Sequence, residues 1–176
     1  MKYFEFGTEN PELMVMLHGG GTSYFGMLPT TKEMAKVYHV VLVAYDGFNP
    51  DEPETEFVSP MDEAKRLGDY IAAHYGGKID ILYGISYGCR VLMEVLADKR
   101  LTITTTIADG MGLRDYPNIR SSVDKKLSAG LEALKKTGYP FETKIFTDLG
   151  HGGLAGEHPE EFLQEVQAVR LHSLER

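Results

Sequence analysis

Short, wholly apolar runs alternate along this chain with stretches whose apolar positions recur every three or four residues. Leu13 to Leu17 is the first run and stops at a glycine cluster; His39 to Ala44 is the second and stops at Tyr45-Asp46-Gly47. Apolar runs of this length bounded by turn residues are the mark of buried strands. Between them Leu28, Met34, Ala35 and Val37 keep near-helical spacing, with Pro29 suited to a first turn. Met1 to Phe6 alternates apolar and polar residues and predicts a further strand ahead of the first run.

The strand-helix unit then repeats. Asp62 to Tyr75 sets Leu67, Tyr70, Ile71 and His74 on one helical face, Gly76-Gly77 supplies the stop, and Ile79 to Tyr83 is the next strand. Cys89 to Lys99 carries Val91, Leu92, Val95 and Leu96 at helix spacing, and Leu101 to Ala108 is rich in Thr and Ile, as strands are. Ser121 or Ser122 is placed to cap a helix running to Lys136 and ended by Gly138, Phe141 to Thr147 forms a last strand, and Pro159 to His172 a closing helix. Asn49 to Pro60, rich in Pro and acidic residues, reads as a surface loop. This alternation predicts an α/β fold, a three-layer sandwich in which a mostly parallel sheet with right-handed crossovers carries helices on both faces. Ligands of such sheets bind at the carboxyl ends of the strands.

Composition narrows the class without changing it. The 176 residues, 43% hydrophobic and 25% charged, suit one ordinary globular domain over 1–176. A net charge of -8 with no basic cluster to offset it argues against nucleic acid and anionic membranes as partners. No apolar run approaches the roughly 20 residues that cross a bilayer, and the amino terminus lacks the apolar core of a signal peptide. Cys89 is the single cysteine, so no internal disulfide forms and a reducing, cytoplasmic location is expected.

Chemistry concentrates after the apolar runs. Gly84-Ile85-Ser86-Tyr87-Gly88 stands between a strand and a helix, the setting in which a strained turn exposes a nucleophilic serine, here Ser86. His18-Gly19-Gly20-Gly21 follows the first buried strand. There the N–H of Gly20 or Gly21, with that of Tyr87, is placed to receive the negative oxygen formed when an ester carbonyl is attacked. A serine also needs a base. His151, in Gly150-His151-Gly152-Gly153 after the last strand, is at the correct end of the sheet; His158 is its rival, His18 reads as structural, and His39, His74 and His172 as solvated or core residues. For the acid that orients the base, Asp109, at the end of a strand, and Asp124, near the start of a helix, are alternatives, with Asp46 a third carboxylate near the same face. No metal-binding spacing occurs and no cofactor is expected.

Taken together, the His-Gly-Gly-Gly run, Gly-Ile-Ser-Tyr-Gly, and Gly-His-Gly-Gly ahead of a Pro-Glu-Glu-Phe-Leu helix resemble the α/β-hydrolase superfamily. The resemblance implies an acyl-enzyme on Ser86, His151 as base, and N–H groups near Gly20 and Tyr87 as the oxyanion hole. Members of that superfamily insert a cap after the strand matching Leu101 to Ala108; here that stretch shrinks to Met111 to Arg120, so a reduced fold with a minimal cap and one strand fewer is expected. If the missing strand's helix begins near Ser122, Asp124 inherits the acid's place; if the sheet closes up, Asp109 does. The expected activity is hydrolysis of small carboxylic esters. Amide, lactone or thioester cleavage by the same triad, or a non-catalytic binding or scaffold domain, are the alternatives, and homo-oligomerisation is left open.

Overall fold

A computed structural model of the chain describes residues 1–21, 23–110, 136, 142–144, 146 and 149–175. The chain divides into two compact units, residues 1–111 with 149–176, and residues 112–148. The strands and helices named next, and the site, belong to the first. Its strands are β1 (Lys2–Phe6), β2 (Leu13–Leu17), β3 (His39–Ala44), β4 (Lys78–Ile85) and β5 (Thr102–Asp109). Its helices are α1 (Leu28–Met34), preceded by a 3-10 turn at Tyr24–Met27, then α2 (Pro60–Tyr75), α3 (Gly88–Leu96), α4 (Gly153–Glu157) and α5 (Pro159–Leu174). The five strands form one sheet in the order β1-β3-β2-β4-β5, antiparallel only where β1 pairs with β3.

Register explains the layers. Val15 lies beside Leu82 and Leu17 beside Gly84, and on this face Ala64, Leu67 and Ile71 of α2 pack with Val91, Leu92 and Val95 of α3. Met16 lies beside Tyr83 on the other face. There the Thr31 hydroxyl of α1 donates to the Met16 sulfur, and Phe162 of α5 rests against Tyr83 with ring centroids 5.0 Å apart. Every residue of β2 is buried, which is why its sequence is continuously apolar and not alternating. Near the amino ends of β2 and β4, the buried Arg170 of α5 donates to Glu12 at 2.7 Å, Asp80 at 3.1 Å and Thr105 at 3.3 Å, while Asp80 also accepts from the Leu13 N–H.

The mostly parallel three-layer arrangement is as the sequence predicts, and α2 ends where expected, at Gly76 in the left-handed conformation. Three details differ. The helix expected to reach Lys99 stops at Leu96, because the Asp98 carboxylate accepts from the Arg100 N–H and turns the chain. His74 is exposed; the inward face of α2 runs instead through Glu63, Ala64, Leu67, Gly68 and Ile71. The short α4 was not expected. Of the predicted helix up to Lys136 only Lys136 is described, and it is helical; of the predicted strand over 141–147, residues 142–144 and 146 are described and none is in a strand. The shortened 111–120 stretch lies outside the described residues.

Candidate active site

Ser86 stands at the end of β4 with φ of 54°, and it is the only non-glycine residue at positive φ among the described residues. Such a conformation costs a side-chain-bearing residue about 1–2 kcal/mol and persists only where the surroundings enforce it. They do so by close approach. A methyl on Gly88 would collide with the Leu17 carbonyl and reach 2.8 Å from that of His18, and one on Gly84 would lie 2.9 Å from the Gly88 carbonyl. Helix and strand can therefore meet only through hydrogen atoms at both positions. The Ser86 N–H donates to the Asp109 carbonyl at 2.8 Å, fixing the turn to the end of β5.

One strand over, His18 and the glycines follow β2. A methyl on Gly20 would lie 3.0 Å from the Tyr87 Cβ, so the backbone of the glycine loop and the residue after Ser86 are in direct apposition. His18 is buried and its partners define its state. The Gly19 carbonyl, 2.8 Å from Nδ1, can only accept, so Nδ1 carries the proton. The Tyr45 N–H, 3.3 Å from Nε2, can only donate, so Nε2 is bare. Burial holds the imidazole below its usual range, and it stays neutral. Both nitrogens are thus committed to the frame, as a structural role requires.

His151 sits on the far side of Ser86. Its ring covers Gly110: a methyl there would fall 2.5 Å from Cε1 and 2.7 Å from Nδ1. Its neighbour Gly152 presses on the Ile85 side chain, leaving no room for a methyl. The segment is held further by the Thr30 hydroxyl of α1, which donates to the Ala155 carbonyl at 2.6 Å. Asp109 precedes Gly110, and one of its carboxylate oxygens accepts from the buried Tyr83 hydroxyl at 2.9 Å. Ser86 and Asp109 therefore stand at the ends of adjoining strands, with the His151 ring over the residue that follows Asp109. Among the described residues no hydrogen bond joins their side chains to one another.

The remaining candidates lie elsewhere. Asp124 is outside the described residues. Asp46 is buried and paired with Arg66 at 2.6 Å and with the Met1 amino group. Gly21 is exposed with open space around it. His158 precedes α5 without capping it through its side chain, His39 pairs with Glu5 at the amino end of β3, and His172 is on the exposed side of α5. Among the described residues no group of three metal-ligating side chains converges.

Two features were not foreseen. Glu63 on α2 is fully buried, as is the Tyr45 hydroxyl, and among the described residues neither the Glu63 carboxylate nor that hydroxyl is joined by a hydrogen bond to another side chain. Burial and the neighbouring Asp46 carboxylate push Glu63 up to about 7. The second is a run of rings. Tyr45 lies 4.1 Å from His18, Phe48 5.5 Å from Phe57, and Phe57 5.8 Å from Tyr87, centroid to centroid. The only sequence signal was a pair of phenylalanines flanking the acid-rich loop.

No protein-family model matches the chain, and no curated protein is significantly similar to it. Solved structures are. An α/β hydrolase family protein from Desulfitobacterium hafniense superposes with a TM-score of 0.57 at 18% identity, over 98% of this chain and 70% of its own. An N-acyl homoserine lactone degrading enzyme gives 0.56 at 18%, over 95% and 60%. A lipase-esterase related protein from Clostridium acetobutylicum gives 0.52 at 16%, over 97% and 71%. This chain spans between 60% and 71% of the length of these three structures. The chain has the α/β-hydrolase fold in a shortened form.

Proposed function

We propose that this chain is a serine hydrolase that cleaves small carboxylic esters through an acyl-enzyme on Ser86. The observation that carries the reading is Ser86 itself, held at φ of 54° between β4 and α3 with the His151 imidazole over the adjoining Gly110. In the proposed reaction His151 takes the hydroxyl proton as Oγ bonds to the ester carbonyl carbon. The oxygen that becomes negative is received by the N–H groups of Gly20, or Gly21, and Tyr87. The tetrahedral carbon then expels the alcohol, which leaves with the proton from His151. Water repeats the sequence on the acyl-enzyme, releasing the acid and restoring Ser86.

Asp109 is our choice to orient His151, because it precedes the glycine beneath that ring and has a second carboxylate oxygen beyond the one bonded to Tyr83. Its Tyr83 bond also holds it in place. No helix among the described residues is long and apolar enough to cross a membrane, and the charge of -8 favours a small-molecule substrate over nucleic acid.

A fluorophosphonate probe tests the reading: labelling of the wild type that is lost in Ser86→Ala supports it, and equal labelling of both proteins refutes it. The unjoined side chains of Ser86, His151 and Asp109 favour one second reading, a binding module on the same fold. Ester turnover lost in both Ser86→Ala and His151→Ala excludes that module. A lactone belongs in the same assay, since one neighbour is a lactone-degrading enzyme.

A further inference from the structure

The carboxyl edge of the sheet presents four consecutive stations, in the spatial order β3-β2-β4-β5. After β3 come Tyr45 and Phe48; after β2, the glycines; after β4, Ser86 and Tyr87; after β5, Asp109 and Gly110 with His151 above it. The base thus stands on one side of Ser86 and the aromatic run on the other. Phe57, near the end of the same loop, bridges the glycine station to touch Tyr87 at 5.8 Å. Phe48 packs edge-on against Phe57, and Tyr45 and His18 back them from within the core. Phe48, Phe57 and Tyr87 are each only partly buried, so the run keeps accessible aromatic surface. Arg90 lies 5.6 Å from the Tyr87 ring and helps to hold it.

We propose that Phe48, Phe57 and Tyr87 form the wall that receives the acyl group, and that the preferred substrates are uncharged esters of aromatic acids. The inference rests on the ester-hydrolase reading of the same site. In that reaction the leaving alcohol must face His151 to take its proton, so the acyl group points away from the base, toward the aromatic side. Rings offer edge and face contacts that an aryl group satisfies better than a methyl does. Charge sets the second half of the preference. Asp51, Glu54 and Glu56, together with Glu52, which pairs with Lys2 at 3.5 Å, lie between Phe48 and Phe57 on one loop, and the net negative field of the loop opposes an acyl group that carries a carboxylate.

The test holds the leaving group constant and compares 4-nitrophenyl acetate, phenylacetate and hemisuccinate. The expected kcat/KM is about tenfold higher for phenylacetate than for acetate, with hemisuccinate the poorest, and the phenylacetate-to-acetate ratio falls about tenfold in Phe57→Ala. Phe57→Leu, which keeps the buried apolar volume without the ring, is the second variant should Phe57→Ala not fold, and Phe57→Tyr restores the ratio. A ratio unchanged by these substitutions overturns the proposal, because general loosening of the loop lowers both rates alike. Hemisuccinate turned over as well as phenylacetate overturns it too. If no ester is cleaved, the hydrolase reading fails on its own, and binding of the unreactive phenylacetamide by saturation-transfer NMR decides the wall. Binding lost in Phe57→Ala retains it, and no binding to the wild type rejects it.

Discussion

The imidazole of His151 rests on the bare Cα of Gly110, where a methyl would come within 2.5 Å of Cε1. Gly110 also has φ of 57°, so a side chain is opposed twice, by the ring and by the backbone. Gly110→Ala is therefore expected to lower ester kcat/KM by roughly 100-fold through displacement of the proposed base, with a fall in melting temperature of a few degrees from the backbone strain. Steady-state kinetics beside a thermal melt check this; a variant of undiminished kcat/KM would separate His151 from the reaction.

Glu63 makes stability depend on pH. Burial raises its pKa from the ordinary carboxyl value of 4.5 to about 7, so between these values the folded chain binds more protons than the unfolded one. The contribution is full below the lower value and lost as pH rises through the upper, amounting to about 2 kcal/mol between pH 5 and 8. Urea unfolding at the two pH values measures it. In Glu63→Gln this component of the pH dependence is expected to vanish; the same difference in both proteins would assign it to other groups.

Arg170 ties α5 to the amino ends of β2 and β4 through Glu12 and Asp80. Both carboxylates are partly open to water, with side-chain exposures of 36% and 33%, which moderates the loss. Arg170→Met is expected to cost about 2–3 kcal/mol in urea unfolding. A loss below about 0.5 kcal/mol would show the ion pairs to be idle.

Cys89 is buried, its thiol donating to the Gly84 carbonyl at 3.1 Å, and burial with the nearby Asp109 carboxylate pushes it up to about 12. Iodoacetamide at pH 8 is expected to leave the native chain unmodified and to label it fully in denaturant, as mass spectrometry would record. Rapid labelling of the native chain would contradict this burial.

What the sequence could convey was what local pattern encodes. The apolar runs at Leu13 and His39 marked buried strands because full burial leaves no alternation, and Gly84 and Gly88 marked the Ser86 turn because no other residue tolerates such contacts. His18 was separable from His151 by position alone. Relations between distant residues were not legible. Nothing in Phe48 and Phe57 announces that they converge on Tyr87, and Glu63, spaced among ordinary helix carboxylates, gave no sign of turning inward. The choice between Asp109 and Asp124 was hidden for the same reason, since both precede or follow plausible turns and only spatial closeness to His151 could rank them.

The turn bearing Ser86 and the glycines beside it grow from β4 and β2, strands flanked by neighbours on both sides. Strands so placed exchange their amide hydrogens only when the whole unit opens, whereas loops open locally at little cost. Of the aromatic residues, Phe48 and Phe57 belong to the loop between β3 and α2, whereas Tyr87 follows Ser86. On the proposed reading, the Ser86 turn and the Phe48–Phe57 part of the acyl wall thus draw on separate reserves of stability. On that reading, substitutions at Phe48 and Phe57 redirect the substrate range step by step while the frame around Ser86 stays as firmly closed as the fold itself.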